Sequence, residues 1–192
     1  MGDERISPGR RLLLTSARPV RFWPALGLKT AMGIDEVIAE FGPALARVAA
    51  SYERDSGLRE DLVQEIALAI FRALPRLEDP TRLRPFVFRI AHNRCVSHVV
   101  RQVGRPPEDE SALDHLISGE AGPEEALLAA ERSRRLVEAV RALPLPYRQV
   151  TTLLLEDLSH GEIAEALGLT LTNVGVRINR AKTQLRRLLG HE

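Results

Sequence analysis

Apolar residues recur every three or four positions through most of this chain, the spacing of α-helices that each bury one face. Ile34, Val37, Ile38, Phe41, Leu45, Val48 and Ala49 trace such a stripe and predict a helix from Ile34 to Tyr52, with Gly42-Pro43 placed to break it in two. The polar stretch Arg54 to Gly57 reads as a short loop. Glu60 to Leu74 reads as the next helix. Leu62, Ile66, Ile70 and Leu74, with Val63, Ala67 and Phe71, form its buried face, while Asp61, Gln64, Glu65 and Leu68 stay outside. Pro75 ends it. Arg82 to Val103 turns Phe86, Val87 and Ile90 inward and gathers Arg84, Arg89, His92, Asn93 and Arg94 around them. Ala126 to Leu143 and Tyr147 to Leu155 are two further helices, punctuated by Pro144 and Pro146.

The most informative stretch is Ser159 to Leu189. Ser159 and Glu162 form the S-x-x-E capping box that opens a helix. Ile163, Ala164 and Leu167 are its apolar stripe, and Gly168 stands where the helix must stop, because glycine takes a left-handed backbone at little cost. Thr170 caps a second helix, in which Val174, Ile178, Ala181, Leu185 and Leu188 share one face. The opposite face carries Thr172, Asn173, Arg177, Arg180, Lys182, Arg186 and Arg187, and no acid occurs between Glu165 and Glu192. A positive helix presented by a short turn is the helix-turn-helix device for entering a DNA major groove. A plain helical hairpin with a solvated basic face is the other reading of these residues alone.

The formal net charge of +1 over 192 residues carries no information about partners, but its distribution does. Arg82 to Arg105 holds six arginines and no acid; Glu108 to Glu131 holds eight acids and no Lys or Arg. This alternation suggests two basic working surfaces joined by an acidic connector. Phenylalanines interleaved with arginines suit single-stranded nucleic acid, whose bases stack and whose phosphates need charge; as single residues, Phe86 and Phe88 read first as core. The lone Cys95 excludes an internal disulfide and reads as a small packed side chain. The scattered histidines argue against a metal, and no Gly-rich phosphate loop, G-x-S-x-G or H-E-x-x-H supports an enzyme. No apolar run reaches the roughly 18 residues of a membrane span. Residues 1–31, with Arg10, Arg11, three leucines and a Pro/Trp segment, lack a secretory core and read as a disordered extension, with Met32 as an alternative first residue.

Taken together and in order, DLVQE, IFRAL, RPFVFRIAHN, GRPP, an acidic linker, ALPLPYRQVTTLLLEDLSHGEIAEALGL and NVGVRINRAKTQLRRLL resemble a bacterial RNA polymerase sigma factor. The resemblance is to the short extracytoplasmic-function class of the sigma-70 family, which keeps only regions 2 and 4, and it spans Ile34 to Leu189. It departs from the family in three places. Phe86 stands where tryptophan is usual, the loop from Leu77 to Leu83 is short and lacks a Gly-Ser portion, and Val174-Gly175-Val176-Arg177 replaces the frequent V-K-S-R.

The resemblance implies an all-α fold of two small helical domains joined by a flexible acidic linker, the C-terminal one a four-helix domain with helix-turn-helix. The expected divisions are a region 2-like domain over 32–103, a linker over 104–122 and a region 4-like domain over 123–192. It implies a non-catalytic factor that binds core RNA polymerase through its beta and beta-prime subunits, recognises and melts promoter DNA, and works in the cytoplasm without cofactor or small-molecule substrate. An anti-sigma factor is a further partner that the class allows. Asp61, Gln64, Glu65 and Leu68 would dock on the polymerase. Arg84, Phe86, Arg89, His92, Asn93, Arg94 and Arg101 would meet the −10 element, with Asn93 at the pocket for an unstacked base. Thr172, Asn173, Val176, Arg177, Arg180, Lys182 and Arg187 would meet the −35 element. A stand-alone helix-turn-helix regulator is the alternative, and it leaves the basic aromatic segment of the first half unused.

Overall fold

The computed structural model describes residues 33–102 and 123–190, all of them helices and short connections. The expectations for residues 1–31 and for the acidic linker fall outside the described residues. The helices are α1 Ile34–Ala50, α2 Ser56–Ala73, α3 Leu83–Gln102, α4 Pro123–Ala142, α5 Leu145–Leu155, α6 His160–Leu167 and α7 Leu171–Leu188, with two single 3-10 turns, Leu74–Arg76 and Pro80–Arg82, between α2 and α3.

Helix α1 runs through Pro43 unbroken, against the sequence expectation. Proline removes one i→i−4 hydrogen bond and orphans the carbonyl of Ala39. Ala39 and Pro43 both lie on the exposed face, so water can satisfy that carbonyl. On the other face Val37, Phe41, Leu45 and Val48 are buried on both sides of the proline and keep the two turns in line. Helix α2 also differs, starting four residues before Glu60. Asp55 caps it by accepting the Leu58 N–H at 2.8 Å, and the Glu53 carboxylate takes the N–H groups of Arg54 and Asp55. Composition marked this segment as loop; the cap makes it a helix start. Leu62, Ile66 and Ile70 are buried as the period requires, but Phe71 is 56 % exposed. A step of one residue from Ile70 turns about 100° around the axis, which places Phe71 beside Leu68 on the outer face.

Helices α1, α2 and α3 pack around Leu45, Leu62, Ile66, Ile70, Val87 and Phe88, with Phe41 meeting Phe88 edge-on at 6.1 Å between ring centroids. Cys95 is buried there, and burial pushes its thiol up to about 12, so it stays protonated. In the second half, Pro144 and Pro146 stand at the cap and first turn of α5, where a missing N–H costs nothing, so the helix begins at Leu145 rather than Tyr147. Helix α4 begins at Pro123, before the expected Ala126, and ends at Ala142, and Leu127 and Leu128 in its first turns are exposed.

The two halves join into one body. Their buried residues form a continuous cluster in which Val87, Phe88 and Ala91 of α3 lie with Val150, Leu153, Ile163 and Val174 of the second half, and α6 packs along α3. Polar contacts surround this seam. Arg47 grips the Glu156 carboxylate with two bonds, at 2.9 and 2.6 Å, across 109 residues of sequence. Arg84 donates to the Glu156 backbone carbonyl, and Arg82 pairs with Glu165. Arg141 of α4 donates to the carbonyls of Ala50 and Glu53, completing the C-terminal end of α1 from outside. Tyr52 fills the centre of the seam, with the Arg148 guanidinium 5.6 Å from its ring centroid and the His92 ring edge-on.

Candidate nucleic-acid interface

The helix-turn-helix is built by its own short-range chemistry. The Ser159 hydroxyl accepts the Glu162 N–H at 3.2 Å while the Glu162 carboxylate accepts the Ser159 N–H at 2.8 Å, so the capping box closes in both directions. Gly168 ends α6 at φ 65°, a conformation that a side chain would strain. Thr170 caps α7 by accepting the Asn173 N–H at 3.2 Å. Val174, Ile178 and Ala181 then anchor α7 on the core, Leu185 is half-buried, and Leu188 is exposed, because the last turn runs past the body it packs on.

The outward face of α7 carries Thr172, Asn173, Val176, Arg180, Lys182 and Arg187, all exposed, with Arg177 half-buried. Arg177 Nε donates to Asn173 Oδ1 at 3.0 Å, one turn apart. No acidic residue lies on this helix. Its positive potential is therefore not cancelled locally and suits a phosphate backbone, while the residues of the first turns are short enough to approach base edges.

Helix α3 divides its candidate residues among three directions. Phe86, Arg89 and Asn93 recur at three- and four-residue spacing on one open face: Asn93 and Arg89 are exposed, Phe86 is half-buried, and the Arg89 guanidinium lies 5.8 Å from the Phe86 ring centroid. Arg94 is exposed beside them. Arg84 points instead into the seam, toward Glu156. His92 is only 6 % exposed, enclosed with its Nδ1 3.4 Å from the Tyr52 hydroxyl, so in this arrangement it lies inside the protein rather than on a DNA-facing surface. Burial there lowers its pKa to about 4 and keeps the ring neutral. The physical reason is register: position 92 lies four residues from the buried Phe88 and is on that helix face. Arg101 lies against α2, paired with Glu65 at 2.9 Å, and so joins a DNA candidate to a polymerase candidate.

On α2, Asp61, Gln64, Glu65 and Leu68 are exposed along one face, and Phe71 extends it with a second large apolar side chain. The sequence signal for Phe71 was its three-residue spacing from Leu68. Beneath this face, His98 Nε2 lies 2.5 Å from the Glu53 carboxylate, and both side chains are largely enclosed. Among the described residues no three His, Cys, Asp or Glu side chains gather as metal ligands, and no helix is long and apolar enough to cross a membrane.

Comparison with known proteins agrees with this geometry. Residues 37–105 match the family model for Sigma-70 region 2, and residues 133–185 match that for Sigma-70, region 4. The chain is 32 % identical to the extracytoplasmic-function RNA polymerase sigma factor SigD of Mycobacterium tuberculosis over 164 residues, covering 79 % of this chain and 74 % of SigD. It is 31 % identical to the sigma-E factor of Escherichia coli over 136 residues, 66 % of this chain and 71 % of sigma-E. Among solved structures, CnrH in complex with the cytosolic domain of CnrY superposes with a TM-score of 0.60 at 27 % identity, over 83 % of this chain and 88 % of CnrH. With both family regions present in order on an all-helical body, and a capped basic helix-turn-helix in the second, this chain belongs to the sigma-70 family of RNA polymerase sigma factors, in its extracytoplasmic-function class.

Proposed function

We propose that this sigma factor divides initiation among three surfaces. The α2 face of Asp61, Gln64, Glu65 and Leu68, extended by Phe71, docks on the beta-prime clamp; its mixture of carboxylates and exposed apolar groups suits a basic partner with an apolar centre. Phe86, Arg89, Asn93 and Arg94 of α3 receive the −10 element, with the Asn93 amide able to donate to and accept from the edge of an unstacked base. Helix α7 enters the major groove of the −35 element. The observation that carries this reading is the capped, acid-free, outward face of α7. The working units are 32–103 and 123–192 with 104–122 as tether, the site of action is the cytoplasm where polymerase works, and the factor contributes no bond chemistry of its own.

The seam between the halves must then part. Helix α6 packs on both α3 and α7, so at about 8–10 Å per packed pair α3 and α7 lie no more than about 20 Å apart. The −10 and −35 elements are about 25 base pairs apart by their names, roughly 85 Å of B-DNA at about 3.4 Å per pair. One closed body cannot reach both. A protein partner of the kind that CnrY is for CnrH would act by holding or blocking these surfaces. The test is energy transfer between dyes at Ser97→Cys and Thr183→Cys, both exposed positions. Transfer should be high in the free factor and fall on addition of core polymerase and promoter, in step with run-off transcription. Unchanged transfer in a transcribing holoenzyme would refute the opening.

A further inference from the structure

We propose that Arg47, Arg82 and Arg84 form a phosphate-binding track for a DNA strand, and that in the closed chain Glu156 and Glu165 fill this track in place of phosphates. This rests on the reading that the seam between the halves parts when the factor loads onto DNA. The three arginines come from separate parts of the first half: α1, the second 3-10 turn and the start of α3. Each finds its acceptor in the second half. Arg47 holds the Glu156 carboxylate through Nε and a terminal amine, Arg84 donates to the backbone carbonyl of the same residue, and Arg82 reaches the Glu165 carboxylate at 2.8 Å. Two guanidinium groups therefore converge on one residue. Asp79, three residues before Arg82, is instead turned to Thr81, accepting both its N–H and its hydroxyl.

A guanidinium grips a carboxylate and a phosphate with the same fork of N–H donors, so one anion can replace the other. The Arg47 and Arg82 side chains are 55 % and 58 % exposed, which puts the cluster at the rim of the seam, where a strand can approach from solvent. Ion pairs open to water contribute little net stability, so their partners exchange at small cost. The turn that carries Glu156 does not need its side chain. The N–H groups of Asp157 and Leu158 close on the carbonyls of Leu154 and Leu153, and Leu153 and Leu158 are buried on either side. The carboxylate thus serves the contact with the first half rather than the fold of its own. Arg84 lies two residues before Phe86, so the track adjoins the α3 face proposed for the −10 strand. A chain whose own carboxylates fill the site binds DNA with an affinity reduced by the fraction in which the site is free.

The distinguishing consequence is a gain of binding on removal of one acid. The experiment titrates the full-length free factor against a labelled single-stranded DNA of scrambled sequence, by fluorescence anisotropy over a range of salt. Glu156→Gln keeps the shape of the side chain and should tighten binding about two- to tenfold, by raising the fraction of chains with a free track. It should also steepen the salt dependence by about 0.7 for each arginine released. Asp157→Asn is the control. It removes the same charge from the adjacent, exposed position, where no arginine is held by hydrogen bonds, and should change affinity by less than about twofold, as a screened surface charge does. Adding Arg47→Ala to Glu156→Gln should take back about 0.7 of the slope. A gain no larger than that of Asp157→Asn, or a slope that Arg47→Ala leaves unchanged, overturns the track. Dye transfer between positions 97 and 183 keeps the two readings apart: a fall in transfer for Glu156→Gln without tighter DNA binding overturns the phosphate site and leaves the parting of the seam intact. Tighter binding with the predicted slope supports the track even if transfer in a transcribing holoenzyme refutes the parting.

Discussion

The ion pair between Arg47 and Glu156 should be asymmetric under mutation, and the asymmetry follows from solvent access. The Glu156 side chain is 7 % exposed and that of Arg47 55 %. Arg47→Ala leaves a carboxylate enclosed by the seam without its two guanidinium donors. A fully buried orphan charge costs about 3–5 kcal/mol. The vacated arginine position is open to water, which screens part of this, so the expected loss is about 1–3 kcal/mol. Glu156→Gln removes the charge, keeps an acceptor for one bond and lets Arg47 swing into solvent, for about 0.5–1.5 kcal/mol. Because the partners come from α1 and the end of α5, the loss should register as weakened packing between the halves. The measurement is urea unfolding of both single mutants and the double mutant. Arg47→Ala should be the worse of the two singles, and the double mutant should be less destabilised than the sum of the singles. Equal losses, or a larger loss for Glu156→Gln, would show that the carboxylate is not enclosed as described.

Three further outcomes follow from other parts of the molecule. His92 titrates at about 4 in the folded chain against about 6.5 unfolded, so the unfolded state binds the extra proton between those values; its stabilising contribution is full above pH 6.5 and is lost as pH falls toward 4, at up to about 1.4 kcal/mol per pH unit. His92→Phe should flatten the pH dependence of unfolding between pH 6.5 and 5, and an unchanged slope would contradict the burial. A Cβ at Gly175 would meet nothing within 4 Å, so Gly175→Ala should stabilise α7 by up to about 1 kcal/mol in thermal unfolding; a fall in promoter affinity with raised stability would mark Gly175 as a point of close approach to DNA. Asp61→Lys with Glu65→Lys should change stability by less than about 1 kcal/mol, since both are exposed and the Glu65–Arg101 pair is a surface one, yet should weaken holoenzyme formation in a core-polymerase binding titration. Undiminished binding would remove α2 from the docking surface.

Much of this protein was readable without coordinates because its chemistry is local. The capping box of Ser159 and Glu162, the left-handed Gly168 and the Thr170 cap each act within three or four residues, so the helix-turn-helix appears in the sequence as a set of spacings. The outward positions of Asp61, Gln64, Glu65 and Leu68, and the buried positions of Val174 and Ile178, follow from helical period alone. Misreadings arose where two local signals competed. Pro43 signalled a break that burial on the opposite face overrode, and Asp-Ser-Gly signalled a loop where Asp55 caps a helix.

What only the tertiary structure decided was how the two halves meet. Glu156 follows α5 as an unremarkable acid in sequence; its meaning comes from Arg47, 109 positions earlier. Arg84 reads as part of a DNA-facing set because its spacing from Asn93 does not reveal that the second half covers that side of α3, and His92 because no spacing shows that the Tyr52 ring lies against it. The periodicity of a helix states which residues share a face. It does not state what lies against that face, since contacts between distant segments depend on the fit of whole surfaces rather than on any spacing along the chain.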